Sequence, residues 1–93
     1  MRELRLDEFK AREGESFALV LGEKTLPFTL AAVRQLPDSG RQGGAFVLDW
    51  QGPLEPILEQ AIYTLRHDDE EFEMFIVPVG RDPAGAQYEA VFN

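Results

Sequence analysis

His67 is the only histidine among the 93 residues, and histidine is the side-chain type that changes charge near neutral pH. A serine hydrolase would need this imidazole beside a serine and a carboxylate, and the chain has only two serines, Ser16 and Ser39. Neither serine lies in the G-x-S-x-G pattern that places a nucleophile on a sharp turn. We therefore expect His67 to be a structural residue at the end of a strand, and we assign no catalytic residue.

The densest group of carboxylates follows this histidine directly and comprises Asp68, Asp69, Glu70, Glu71 and Glu73. A calcium loop would hold about six to eight oxygens at fixed geometry, on a D-x-D-x-D-G spacing that is absent here. We predict an exposed charged turn and neither a metal site nor a cofactor site. The alternative for this acidic patch is contact with a basic protein surface.

Two further features have a chemical and a structural interpretation. The glycines within Pro37–Gly44 are not followed by the G-K-[ST] of a phosphate loop, which indicates a flexible hairpin loop. Trp50 and Tyr63 would stack a sugar or a base if they were exposed. Strand alternation places both on the inner face, where they would pack in the core.

The charge distribution excludes several classes of partner. The net charge is −8, and residues 42–93 carry ten acidic residues against Arg66 and Arg81. Nucleic acids and anionic membranes require a concentrated basic surface, so neither is expected as a partner. Cysteine is absent, which excludes disulfides and thiolate metal ligands and favours a cytoplasmic location. The length predicts a single domain over residues 1–93.

The apolar pattern predicts one short N-terminal helix followed by strands. Leu6–Gly14 is typical of a helix, with Asp7 as its cap and Gly14 as its stop. Alternating runs predict strands at residues 16–21, 26–33, 46–50, 61–67, 72–79 and 87–92. Their expected inward residues are Phe17, Leu19, Leu21, Leu26, Phe28, Leu30, Ala32, Phe46, Leu48, Trp50, Tyr63, Leu65, His67, Tyr88, Ala90 and Phe92. Ile57 and Leu58 are expected to plug one end of the core.

These elements predict a mainly β fold: a small antiparallel six-stranded barrel or curled sheet with one N-terminal helix. Both architectures use the same alternation, so the sequence leaves the choice between them open. The interior of such a small barrel is filled by its own side chains. Any ligand would therefore bind at a mouth, in a groove or on an outer face.

One strand is apolar on both sides. Phe75, Val77 and Val79 face away from the predicted core, and Val91 on the next strand joins them. A strand of this kind must be covered on both faces or it exposes an apolar patch. Two interpretations remain. The N-terminal helix covers the patch with Leu6 and Phe9, or the patch is a protein–protein contact.

Several runs carry a resemblance to a known family. They are residues 60–67, 75–80 and 88–93, together with 7–9, 14–17 and 46–48. The chain resembles a bacterial family of short single-domain proteins known as a domain of unknown function, whose members tend to be encoded near phage-tail-like collar proteins of the microcystin-dependent type. The resemblance implies an accessory or interaction role and brings no catalytic residues.

The leading functional hypothesis is a non-enzymatic structural or interaction protein, acting by edge-strand pairing or by docking of the Phe75, Val77 and Val91 face. A first alternative is a small carbohydrate-binding barrel that uses Trp50 or loop residues near Asp49. A second is an acidic inhibitor that meets a basic protein through residues 68–73 and Glu89. A homo-oligomer is also left open.

Overall fold

The computed structural model describes residues 3–37 and 40–93. Asp38 and Ser39, and with them part of the predicted loop and one of the two serines, lie outside the described residues. Within the described ranges the chain forms one helix and six strands. Their bounds are α1 Leu6–Lys10, β1 Ser16–Leu21, β2 Lys24–Gln35, β3 Phe46–Gly52, β4 Ala61–His67, β5 Glu70–Asp82 and β6 Gly85–Phe92.

The six strands form a closed barrel in the order β1-β2-β3-β6-β5-β4, and every neighbouring pair is antiparallel. The expected mainly β fold is confirmed, and the closed barrel is realised instead of the open curled sheet. Closure depends on the β1–β4 seam, where Ala18, Leu19 and Val20 lie opposite Arg66, Leu65 and Thr64.

Aromatic rings fill the barrel from one end to the other, and we call this series the aromatic column. It runs through Phe9, Phe72, Phe17, Trp50, Phe28 and Tyr88. Successive ring centroids lie 5.1, 6.0, 4.9, 6.3 and 5.0 Å apart, within or close to the range of favourable aromatic contact. All six rings are at most 2% exposed, so the barrel is filled by its own side chains as expected.

Helix α1 closes one end of the barrel instead of covering its outside. Phe9 is completely buried, and its ring contacts Phe46 and Phe72 at the ends of β3 and β5 that open towards the helix. The expectation that Leu6 and Phe9 cover the outer side of β5 is therefore wrong. An amphipathic helix has to bury its apolar face, and here it does so at the open end of the barrel.

The helix is also shorter than its sequence pattern indicates. It ends at Lys10, and residues 11–14 form turns in which Gly14 has a φ of +89° and donates its N–H to the Leu30 carbonyl. The predicted cap is wrong as well, because Arg5 occupies the N-cap position and Asp7 lies inside the first turn. The Glu8 carboxylate accepts the Arg5 N–H at 2.8 Å.

A β-bulge changes the inward residues of β2. Its pairing with β3 shifts between Leu30 and Ala32, so that Val33 is buried at 6% exposure while Ala32 is only partly buried. The expectation that Ala32 faces the core is therefore wrong. The bulge inserts one residue and reverses the alternation beyond it.

The opposite end of the barrel is closed by the β3–β4 connection. Leu58 is buried there, and its N–H donates to the Tyr88 hydroxyl at 3.0 Å. Ile57 stays 43% exposed, so only one of the two expected plug residues enters the core. Gly52 lets the chain pass close to the core, because a Cβ at that position would lie 2.6 Å from the Phe28 ring.

Replacing Phe9 with alanine tests the position of the helix. We expect a loss of about 3–5 kcal/mol in the free energy of unfolding, because a buried ring at the end of the aromatic column is removed. Phe75→Ala is the matched control and should cost about 1 kcal/mol or less, because that ring is half exposed. Urea unfolding followed by circular dichroism measures both. Equal losses would contradict the placement of the helix.

Candidate functional site

A group of exposed apolar side chains lies on the outside of β4, β5 and β6. We call it the outer apolar face and define it as Ile62, Phe75, Val77, Val79 and Val91, where Val79 lies at a register shift of β5 and is included because it is exposed. Four of these side chains are 50–62% exposed, and Val77 is partly buried. Their neighbours along β5, Met74 and Ile76, point into the core. The predicted two-sided character of this strand is therefore confirmed, and no described residue of the helix covers its outer side.

The strand register sets the arrangement of the outer apolar face. Ile62 lies directly opposite Phe75, and Val77 lies opposite Glu89. Val91 follows Glu89 by two residues, so it faces outward at the same end of the barrel as Phe75. Ile62 was not among the predicted interaction residues. The outward position of Arg66 on the same strand was the available signal, because alternation places Ile62 on the same side.

Carboxylates border the outer apolar face. Glu73 precedes Phe75 by two residues on the same side of β5, is exposed, and makes no ion pair with any described residue. At the other border, Arg34 bridges Asp49 at 2.6 Å and Glu89 at 3.0 Å. The hydrogen bond that the Arg34 guanidinium donates to Asp49 raises the pKa of Arg34, so this side chain stays a cation between the two carboxylates.

Two of the five carboxylates of the predicted acidic patch are paired with this chain's own arginines. Arg12 pairs with Glu70, and Arg66 donates from Nε to Glu71 at 3.0 Å. Among the described residues, no group of three or more acidic or histidine side chains could hold a metal ion. Asp68 adopts a φ of +55° in the two-residue turn between β4 and β5. β5 therefore starts at Glu70, two residues earlier than the sequence pattern indicated.

His67 and Ser16 line the same shallow groove, which has a volume of about 380 Å³. The Nε2 atom of His67 is 2.6 Å from the Glu15 carboxylate, and its Nδ1 atom is buried, 3.5 Å from Asp68 Oδ2. No hydrogen bond between His67 and Ser16 occurs among the described residues. The imidazole joins the segment after α1 to the end of β4, as expected of a structural histidine.

The two aromatic residues considered for sugar stacking do not form a stacking platform. Trp50 is 1% exposed and makes an edge contact with Phe17 at 4.9 Å, so its predicted inward position is confirmed. Tyr63 is partly buried and donates its hydroxyl to the Glu59 carbonyl at 2.7 Å. Burial, followed by the nearby Glu59 carboxylate, raises the pKa of Tyr63 above its ordinary value.

A match to one protein family covers nearly the whole chain. A family model described as a domain of unknown function (DUF6916) matches residues 4–92. The chain belongs to this family. The predicted resemblance to such a family is confirmed, and the neighbourhood of collar genes stays a prediction. No curated protein and no solved structure matches the sequence. Within residues 3–37 and 40–93, no helix is long and apolar enough to cross a membrane.

The raised pKa of Tyr63 gives a testable pH dependence. The folded state disfavours the Tyr63 phenolate, so the neutral phenol stabilises the folded protein relative to the unfolded chain. This contribution to the free energy of unfolding is fully present below the ordinary tyrosine pKa and is lost as the pH rises through the pKa of the folded state. We expect Tyr63→Phe to lose less stability than the parent protein at alkaline pH. Alkaline ultraviolet titration of the parent and of this variant isolates the Tyr63 signal as their difference, because the variant retains only Tyr88. Titration of Tyr63 at or below the ordinary value would contradict the assignment.

Proposed function

We propose that this protein is a non-enzymatic interaction protein that binds another protein through its outer apolar face. One observation carries the proposal. The only helix in the described residues is used to close the barrel end, while Ile62, Phe75, Val79 and Val91 remain at least half exposed. Contiguous exposed apolar side chains with a polar rim are typical of protein–protein contact sites.

The arrangement of the core supports a surface function over an interior binding site. The aromatic column occupies the barrel, and Trp50 is shielded from solvent. The carbohydrate-binding alternative is therefore not favoured through Trp50. Asp49, near which the loop residues considered for it lie, is held by Arg34. Nothing in the described part of the chain assembles a nucleophile, a base and an orienting carboxylate, which supports a role without catalysis.

Charge favours a different protein as the partner over a second copy of this chain. Each copy carries a net charge of −8, so two copies would meet with like charges. The exposed Glu73 carboxylate beside Phe75 would gain a cation from a partner. We therefore expect the partner to present an apolar centre with lysine or arginine at its rim. Such a partner would satisfy both the apolar docking of the leading hypothesis and the basic protein surface of the acidic-inhibitor alternative.

Docking on the face is favoured over the addition of a strand to a sheet edge. Residues 24–28 of β2 and 77–82 of β5 are two of the stretches that pair on one side only among the described residues. Both stretches contain a proline, Pro27 and Pro78, and proline has no N–H to donate to an added strand. Natural sheets use proline and charge at their edges to prevent such pairing. The outer apolar face has no comparable protection.

The family resemblance supplies a candidate partner. We propose a phage-tail-like collar protein encoded near the gene, which this protein would serve as an assembly accessory. The acidic composition and the absence of cysteine support a cytoplasmic role without nucleic-acid or membrane binding. A collar protein with an apolar site and a basic rim would match the charges described above.

The direct test is binding between the purified protein and the purified collar protein from the same genome, measured by isothermal titration calorimetry. We expect Phe75→Arg to weaken binding by about tenfold or more, because buried aromatic residues are common energetic centres of interfaces. Glu73→Lys should weaken it less and should reduce its dependence on salt.

Leu54→Arg is the matched control, because Leu54 is 43% exposed but lies in the β3–β4 connection, away from the outer apolar face. It should bind like the parent protein. Circular dichroism verifies that each variant is folded. Absence of binding to the collar protein would overturn that partner. A dimer in sedimentation measurements that Phe75→Arg dissociates would overturn the preference for a different protein. Binding that Glu73→Lys abolishes and Phe75→Arg leaves intact would favour the acidic inhibitor.

A further inference from the structure

A second surface feature lies at the end of the barrel opposite the helix. A groove of about 220 Å³ is lined by Ile57, Pro78, Gly80 and Arg81. Pro78 pairs with Tyr88, and the Tyr88 hydroxyl accepts the N–H of Leu58, the residue after Ile57. The β3–β4 connection therefore forms one wall of the groove, and the β5–β6 hairpin forms the other.

The charge of Arg81 is exceptional in this part of the chain. Residues 42–93 carry ten acidic residues and only two basic ones, Arg66 and Arg81. Arg66 pairs with Glu71, whereas Arg81 makes no ion pair or hydrogen bond with any described side chain. Within residues 42–93, all of which the structure describes, Arg81 is the guanidinium left without a carboxylate partner, and it stands at an apolar groove. Its natural complement is a carboxylate from another molecule, bound by two parallel N–H donors.

The apolar wall defines the rest of the ligand. Ile57 is 43% exposed, and Pro78 is exposed beside it. Register places Arg81 on the same side of β5 as Pro78, because their partners Ala86 and Tyr88 both face the core. An apolar side chain that contacts Ile57 and Pro78 would therefore carry its polar end within reach of Arg81.

We propose that this groove binds the C-terminal residue of a peptide chain, with its apolar side chain against Ile57 and Pro78 and its α-carboxylate on Arg81. The groove is smaller than the roughly 300–1,000 Å³ typical of small-molecule sites, which fits a single residue. A chain end carries an apolar side chain and a carboxylate on one residue. Capture of a C-terminal carboxylate is an established mode of peptide recognition. The site lies outside the outer apolar face and does not depend on it.

The test uses short synthetic peptides and two-dimensional amide NMR spectra. The probe is acetyl-Gly-Ser-Leu with a free carboxylate, compared with its C-terminal amide and with acetyl-Gly-Ser-Ser. We expect the free acid to shift the amide signals of Ile57, Gly80 and Arg81, with a dissociation constant of about 1 mM or weaker for so small a ligand. The amide should bind about tenfold more weakly or not at all, because the charged contact is lost. The serine peptide should also bind more weakly.

Arg81→Gln should remove the preference for the free acid. Lys24→Gln changes the net charge equally at the β1–β2 turn and should retain that preference. Both side chains are exposed, so both variants should fold. Equal binding of acid and amide, or no shifts at the highest soluble concentration, would overturn the proposal. An amide-capped acetyl-Leu-Asp peptide carries its carboxylate on a side chain. If it binds as tightly as the free acid of acetyl-Gly-Ser-Leu or more tightly, the assignment of the groove to a chain end is overturned.

Discussion

Continuous aromatic packing along the barrel axis is the constraint on which the rest of the structure depends. A barrel this small has few residues with which to form a core, and rings supply the most buried apolar area per residue. The aromatic column begins on the helix at Phe9 and ends at Tyr88, whose hydroxyl holds the β3–β4 connection. Both ends of the barrel are closed by contacts with this column.

The position of the helix decides what the surface can do. Because Phe9 is needed inside the barrel, the helix is not available to shield the outside of β5. The same strand therefore contributes Phe72 to the core and Phe75 to the outer apolar face. Packing of the core and exposure of the outer apolar face are two results of one placement. For the proposed contact on this face, the acidic composition favours a partner of opposite charge.

Alternation predicted the fold and most of the core, because strand periodicity depends only on the local sequence. It placed Trp50 and Tyr88 correctly in the interior. It failed at the bulge in β2, because Ala32 and Val33 are both apolar and either could satisfy the pattern. It also failed for Phe9. The helical pattern showed that Phe9 is buried, but it did not show which surface the ring packs against. That choice depends on long-range contacts which a single sequence does not encode locally. The outer apolar face was predictable from the two-sided strand, because that signal is local to residues 72–79.

NMR with a soluble paramagnetic probe tests the position of the helix directly, because the probe broadens signals from side chains that reach solvent. With Phe9 inside the barrel, we expect strong broadening for the Phe75 ring and for the methyl groups of Ile62 and Val91. We expect protection of the Phe9 and Phe72 rings. Protection of Phe75 together with broadening of Phe9 would show that the helix lies on the outside of the barrel. The outer apolar face would then be covered, which would contradict its exposure to solvent and the closure of the barrel by Phe9.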